Sequence, residues 1–212
     1  MALESAALAS ISRRRSLAGF VLCVVGLCGL PGLAGAERLP EADVEAAYLV
    51  NFLRYTQWPE RSFASAESPY VISVIGPRAV ADRVRDVAFA AGRIGGRAIE
   101  VHSIPFQRGS VEAPLQSERD RQSLAKIRGS HLVFFHSEAS PLHPQVLADL
   151  WGHPVLTVSN APGFTDAGGM LGLFRSSGHI VFEANPGSIR NSGLLVSAKV
   201  LKLARVAARA NR

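Results

Sequence analysis

Four short apolar runs, alternating with stretches of helical periodicity, constrain this chain more than any other feature. The runs are Tyr70–Ile75, Ala98–Ile104, His131–Phe135 and Val155–Val158. Ala98–Ile104 alternates; the others are nearly continuous in branched and aromatic residues, the pattern of strands buried on both faces. Between them, Ala79–Ala91 sets Val80, Val84, Val87 and Ala91 on one helical face and Asp82, Arg83, Arg85 and Asp86 outside it. Arg119–Ile127 turns Leu124 and Ile127 inward, and Pro144–Trp151 carries Val146, Leu147 and Leu150. Strands and helices that alternate across short links predict βαβ units and a largely parallel sheet covered on both faces. The polar stretch Gln107–Glu118, with Gly109 and Pro114, reads as a loop.

Both flanks of this pattern extend it. Leu39–Pro59 predicts a helix. Pro40 stands near its start, Glu41 and Asp43 suit the positive end of its dipole, and Trp58-Pro59 stops it. Its stripe of Val44, Tyr48, Asn51-Phe52 and Tyr55 should pack on the sheet. Tyr55 and Trp58, at the helix end, also offer the rigid aromatic area that recognition favours. Beyond Val158, the turn residues Ser159, Asn160, Pro162 and Gly163 lead to Gly168-Gly169. Met170–Phe174 and His179–Ala184 then form a hairpin through Ser176-Ser177-Gly178, an antiparallel edge to the sheet. After Asn185-Pro186 the chain turns helical, and Leu194–Arg209 is expected as a terminal amphipathic helix. Lys199, Lys202, Arg205 and Arg209 run down one of its faces. They make either an ordinary solvated face with cations near a helix C-terminus or a docking face for an acidic partner or the inner membrane.

The first 36 residues stand apart. Arg13-Arg14-Arg15, the apolar Leu17–Leu30 and the Ala34-Gly35-Ala36 exit before Glu37 form the three regions of a secretory signal. Two domain-level segments are therefore expected: a signal peptide at 1–36, removed on export, and a single α/β domain at 37–212. Both cysteines, Cys23 and Cys28, fall within the signal. The exported chain has no disulfide and relies on its core. The formal charge of +6 drops to +4 once the three signal arginines and Glu4 are removed. So mild an excess, on an exported chain, argues against nucleic acid as a partner.

Catalytic and cofactor patterns are weak. Gly92-x-x-Gly95-Gly96 follows a helix, whereas a dinucleotide loop follows a strand and opens a helix. Gly168-Gly169 precedes a strand, and there is neither a phosphate-loop lysine nor a nucleophile elbow. No cofactor follows from these. His136 and His143 could meet above the carboxyl edge of the sheet, where α/β proteins bind ligands, but no pair has metal-ligand spacing. Ser137, His136 and Asp166 can be combined into a triad only on paper. No metal site and no catalytic residue is expected.

The segments AAYLVNFLRYTQWP (Ala46–Pro59), PVLTVSNAPGF, GGM, FEAN and GLLVSAKVLKLA, in that order, closely resemble the YfiR-like periplasmic proteins. The likeness runs from about Val44 to Ala204 and is most specific at its two ends; Arg78 to Gly129 matches only in pattern. It implies a Rossmann-like three-layer α/β/α sandwich, often dimeric, that regulates rather than catalyses. Proteins of this kind repress a membrane diguanylate cyclase through its periplasmic sensor region, and an outer-membrane-associated partner sequesters them. Cyclic-di-GMP and biofilm control follow. The absence of cysteine from the exported chain departs from well-studied members, whose disulfides confer redox sensitivity. The residues expected to touch a partner or ligand are Asn51, Arg54, Tyr55 and Trp58 at the first helix end, and Asn160, Gly168 and Gly169 by the later turn. A different reading is a small-ligand-binding accessory protein of an envelope sensor or transporter, with its pocket near Gly76, His136 and Asn160.

Overall fold

A computed structural model describes residues 40–105 and 118–206. The expected signal segment and all but the last residue of the expected 107–118 loop lie outside the described residues. In chain order the elements are α1 (Glu41–Arg54), β1 (Thr56–Gln57), β2 (Tyr70–Gly76), α2 (Arg78–Ala91), β3 (Ile99–Pro105), α3 (Glu118–Arg128) and β4 (Leu132–Phe135). They continue with α4 (His143–Asp149), β5 (Leu156–Ser159), β6 (Leu171–Ser176), β7 (His179–Ala184), α5 (Pro186–Asn191), β8 (Leu195–Val196), α6 (Ala198–Leu203) and β9 (Arg205–Val206).

Seven strands form one sheet in the order β3-β2-β4-β5-β6-β7-β9. Every neighbouring pair is parallel except β6–β7. The strands at its centre are apolar because both their faces are covered. Along β4, Leu132 and Phe134 face one layer while Val133 and Phe135 face the other. The first layer carries Leu49, Phe52 and Leu53 of α1 and Val84 of α2; the second carries Ile127 of α3 and Val146 and Leu147 of α4. This is the expected Rossmann-like α/β/α sandwich with a C-terminal hairpin. The hairpin closes through Ser177 and Gly178, with φ of 51° and 80°. Two consecutive positive φ values are what a two-residue turn needs to match the twist of its strands.

Three local expectations are corrected. The inward face of α1 is Glu45, Ala46, Leu49, Val50, Phe52 and Leu53, rotated from the expected stripe, so that Asn51 and Tyr55 point outward. The hairpin is not the sheet edge, since β9 pairs with β7 beyond it. The terminal helix is only six residues long. Its start is displaced because Leu195 and Val196 are extended and pair with β1, with Ser197 capping α6 through its side chain. Arg205 leaves the helix altogether: its guanidinium lies 5.3 Å from the Phe174 ring and donates to Ser176 Oγ at 3.1 Å. Arg209 lies outside the described residues.

Candidate functional site

The end of α1 and the segment around Leu195 come together although about 140 positions separate them in sequence. Thr56 pairs with Val196 and Gln57 with Leu195, antiparallel, and the Ser197 amide donates to the Tyr55 carbonyl at 2.8 Å. Side chains directly opposite one another share a face. Tyr55, Gln57, Leu195 and Ser197 therefore project to one side of this ribbon, and Thr56 and Val196 to the other. The sides differ in exposure: Tyr55 is 45% and Leu195 67% exposed, whereas Thr56 is 4% exposed. Asn51 is exposed one turn earlier on α1, and Arg54 is exposed with its Nη2 reaching the Ala91 carbonyl at 3.5 Å. An aromatic ring and an aliphatic side chain thus share one solvent-facing side of the ribbon, with the exposed Asn51 and Arg54 close by in chain order. Leu195 lies within the helix expected over Leu194–Arg209, but the burial of Leu194 beside the exposure of Leu195 is the alternation of a strand.

Trp58 sits behind this surface. It is 9% exposed, its indole N–H donates to the His131 carbonyl at 3.1 Å, and its ring lies 5.5 Å from Tyr70 and 5.8 Å from His131. Phe63 stacks on His131 at 4.5 Å and is covered by the Arg97 guanidinium at 3.9 Å. Burial pushes the His131 pKa down to about 4. Its Nδ1 accepts from the Val71 amide at 3.0 Å and holds that strand end in place.

Asn160 belongs to the other end of the sheet. α1 runs antiparallel to the central strands, so its first turns reach the carboxyl edge and its last turn the amino edge. Fourteen residues place these ends about 20 Å apart. At the carboxyl edge Asn160 Nδ2 donates to Glu45 Oε1 at 2.9 Å, and its Oδ1 accepts from the Ser137 amide at 2.7 Å. Glu45 is 7% exposed, and burial raises its pKa against the opposing effect of the Asn160 bond. One amide thus ties α1 to the loops after β4 and β5. Nothing in the sequence distinguishes Glu45 from the exposed acids around it.

The order of strands reverses between β2 and β4, and the crevice at such a point is where open α/β sheets take ligands. Here His136 packs over Gly76 so closely that a Cβ on Gly76 would stand 2.5 Å from the His136 Cβ. Burial lowers the His136 pKa, opposed by Glu138. His143 is elsewhere, held between Phe135 and Phe164 at 5.1 and 5.2 Å, with its pKa brought down by burial to about 4. Among the described residues no group of three or more His, Cys, Asp or Glu side chains is placed to hold a metal.

Gly168 and Gly169 form a third location. Gly168, at φ +100°, lines an open cleft of about 480 Å³ with Pro144, Leu147, Ala148, Ala167 and the 63%-exposed Trp151. Gly169 instead lies against the buried Phe164, whose ring occupies the space a Cβ would need. Gly169→Ala should therefore destabilise by about 1–3 kcal/mol through overpacking. Gly168→Ala, with open space but an unfavourable φ, should cost only about 1 kcal/mol. Urea titrations of the two variants check the order; a costlier Gly168→Ala would contradict it.

The seven expected contact residues thus fall in three places: Asn51, Arg54 and Tyr55 with Trp58 behind them, Asn160 at the opposite edge, and the glycine pair beside α4. A family model described as YfiR/HmsC-like matches residues 42–205, from the first turn of α1 to the first residue of β9.

Proposed function

This chain belongs to the YfiR/HmsC-like family, and from that premise we propose that it binds the periplasmic part of a membrane diguanylate cyclase and represses it. Families of this description are periplasmic regulators of diguanylate cyclase signalling, regulatory rather than catalytic. The finer reading is that residues 1–36 direct export and are removed. The domain then holds the cyclase inactive, and an outer-membrane-associated protein that sequesters the domain raises cyclic-di-GMP. The observation that supports this reading is the ribbon on which Tyr55 of one signature segment and Leu195 of the other project to the same exposed side, beside the exposed Asn51 and Arg54 in the last turn of α1. A tyrosine and an arginine exposed together are of the residue types enriched at interaction hot spots. Trp58 supports that surface from within, Asn160 is engaged inside the fold, and the cleft at Gly168 offers a separate contact region.

A Tyr55→Ala/Leu195→Ser variant tests this reading. Capture of the cyclase's periplasmic region should weaken about tenfold or more. Cellular cyclic-di-GMP should rise to the level of a deletion strain, with the unfolding midpoint unchanged because both side chains are exposed. If deleting the gene leaves cyclic-di-GMP unaltered, the function proposed here is wrong.

A further inference from the structure

Charge is divided unevenly along the chain beyond residue 36. Residues 37–183 hold 14 lysines and arginines against 16 aspartates and glutamates, whereas residues 184–212 hold six cations and no acidic side chain. The described part of this basic segment includes α6, which docks by one side only. Val200 is buried, and Leu201 and Ala204 pack half-buried against the layer that holds α1. At about 100° per residue, Ala198, Lys202, Lys199 and Leu203 follow one another around the opposite arc. All four are exposed, Leu203 at 78%. Among the described residues no carboxylate pairs with either lysine. Lys199 stands in the first turn of α6, where the helix dipole disfavours a cation, so helix stability does not account for it.

We propose that this face of α6 rests on an anionic phospholipid surface and holds the domain there reversibly. The side-chain types favour lipid over an acidic protein. Arginine is the cation whose planar fork matches a carboxylate, and the arginine that follows α6, Arg205, is turned to Phe174 and Ser176 instead. Lysine is a point charge on an aliphatic stem, which lies along an apolar layer while its ammonium stays among phosphates. Leu203, on the same arc, supplies an aliphatic group that a carboxylate does not need and the acyl boundary accepts. A helix lying flat, with its lysines at headgroup level and a leucine beneath, meets both demands at once. Each lysine near an anionic surface raises partitioning about fivefold. Two lysines and one leucine therefore give a weak hold rather than an anchor. Leu195 lies just before α6 in the chain, so docking would set the Tyr55–Leu195 side near the bilayer, where the periplasmic region of a membrane protein begins. Lys199, Lys202 and Leu203 take no part in that surface, so lipid binding and cyclase capture fail independently.

Cosedimentation of the protein, recovered from the periplasm, with vesicles of phosphatidylglycerol and phosphatidylcholine tests the proposal. The protein should pellet with the mixed vesicles and stay in solution with phosphatidylcholine alone, and its binding should fall as salt is raised. Lys199→Glu/Lys202→Glu should lower partitioning about tenfold or more. Leu203→Ser should lower it several-fold and leave the unfolding midpoint unchanged, because the side chain is exposed. Equal binding to neutral vesicles, no binding to anionic ones, or indifference to the lysine pair would each overturn it. So would displacement by soluble polyglutamate together with a silent Leu203→Ser, the result expected of a face that takes an acidic protein.

Discussion

Replacing Trp58 by alanine should destabilise the fold by about 3–5 kcal/mol, the range for deleting a buried aromatic side chain. The indole is 9% exposed and packs edge-on against Tyr70 and His131. Its loss would leave a cavity between the end of α1 and the amino ends of β2 and β4, and the His131 carbonyl would lose a donor at 3.1 Å. Trp58→Phe separates these effects: most of the packing survives and the hydrogen bond does not, for a loss of about 1–2 kcal/mol. Urea unfolding followed by circular dichroism measures both. An alanine variant that unfolds at the native midpoint but no longer captures a partner would instead place the indole on the contact surface.

Acidification should weaken the fold through two buried imidazoles. Burial holds both His131 and His143 at a pKa of about 4, below the value near 6.5 of an unfolded chain. Between those values the unfolded state binds more protons, so stability falls as pH drops from about 6.5 toward 4 and levels off below. Protonating His131 would also end its acceptance of the Val71 amide. Allowing for partial solvent screening, each group contributes about 1–2 kcal/mol to this loss. His136, also lowered by burial, acts in the same direction. Glu45 acts in the opposite direction. Its pKa is raised by burial, so folding favours its protonated form and the contribution it withholds near neutrality returns as pH falls. Unfolding free energies on either side of pH 5 measure the net effect. His143→Phe keeps a ring between Phe135 and Phe164 and should remove about half of the loss. A His143→Phe variant that loses as much stability between the two pH values as the native protein would show that the His143 imidazole is hydrated.

The parallel core was legible because its signal is local: runs such as LVFF at Leu132–Phe135 are apolar on every side only when a sheet is covered twice. The hairpin was equally plain, since Ser177-Gly178 supplies the positive φ that a two-residue turn demands. The chain end was not. Leu194, Ala198 and Leu201 keep helical spacing on paper, but pairing of Leu195–Val196 with β1 outweighs the propensity of so short a segment. The same long-range pairing created the exposed surface at Tyr55, whose second half no reading of α1 alone could supply. Asn160 was singled out as a contact, and what a linear reading could not anticipate is its bond to Glu45, 115 positions away.

The β1–β8 ribbon and the bond from the Tyr48 hydroxyl to the Ile180 carbonyl, spanning 132 positions, also bear on how the chain is made. α1 emerges from the ribosome before every other described element yet finds its last docking partners only when Leu195 and Val196 arrive. Until then the apolar face of α1, including Leu49, Phe52 and Leu53, has no complete site to bury in. Loop closure over such a span is slow, and an uncovered apolar helix is prone to associate with other chains. A product truncated after β7 would keep the whole hairpin and the Tyr48 bond but lose the β1–β8 ribbon. It is therefore the species for which a holding chaperone would be needed, and the first that proteolysis should remove.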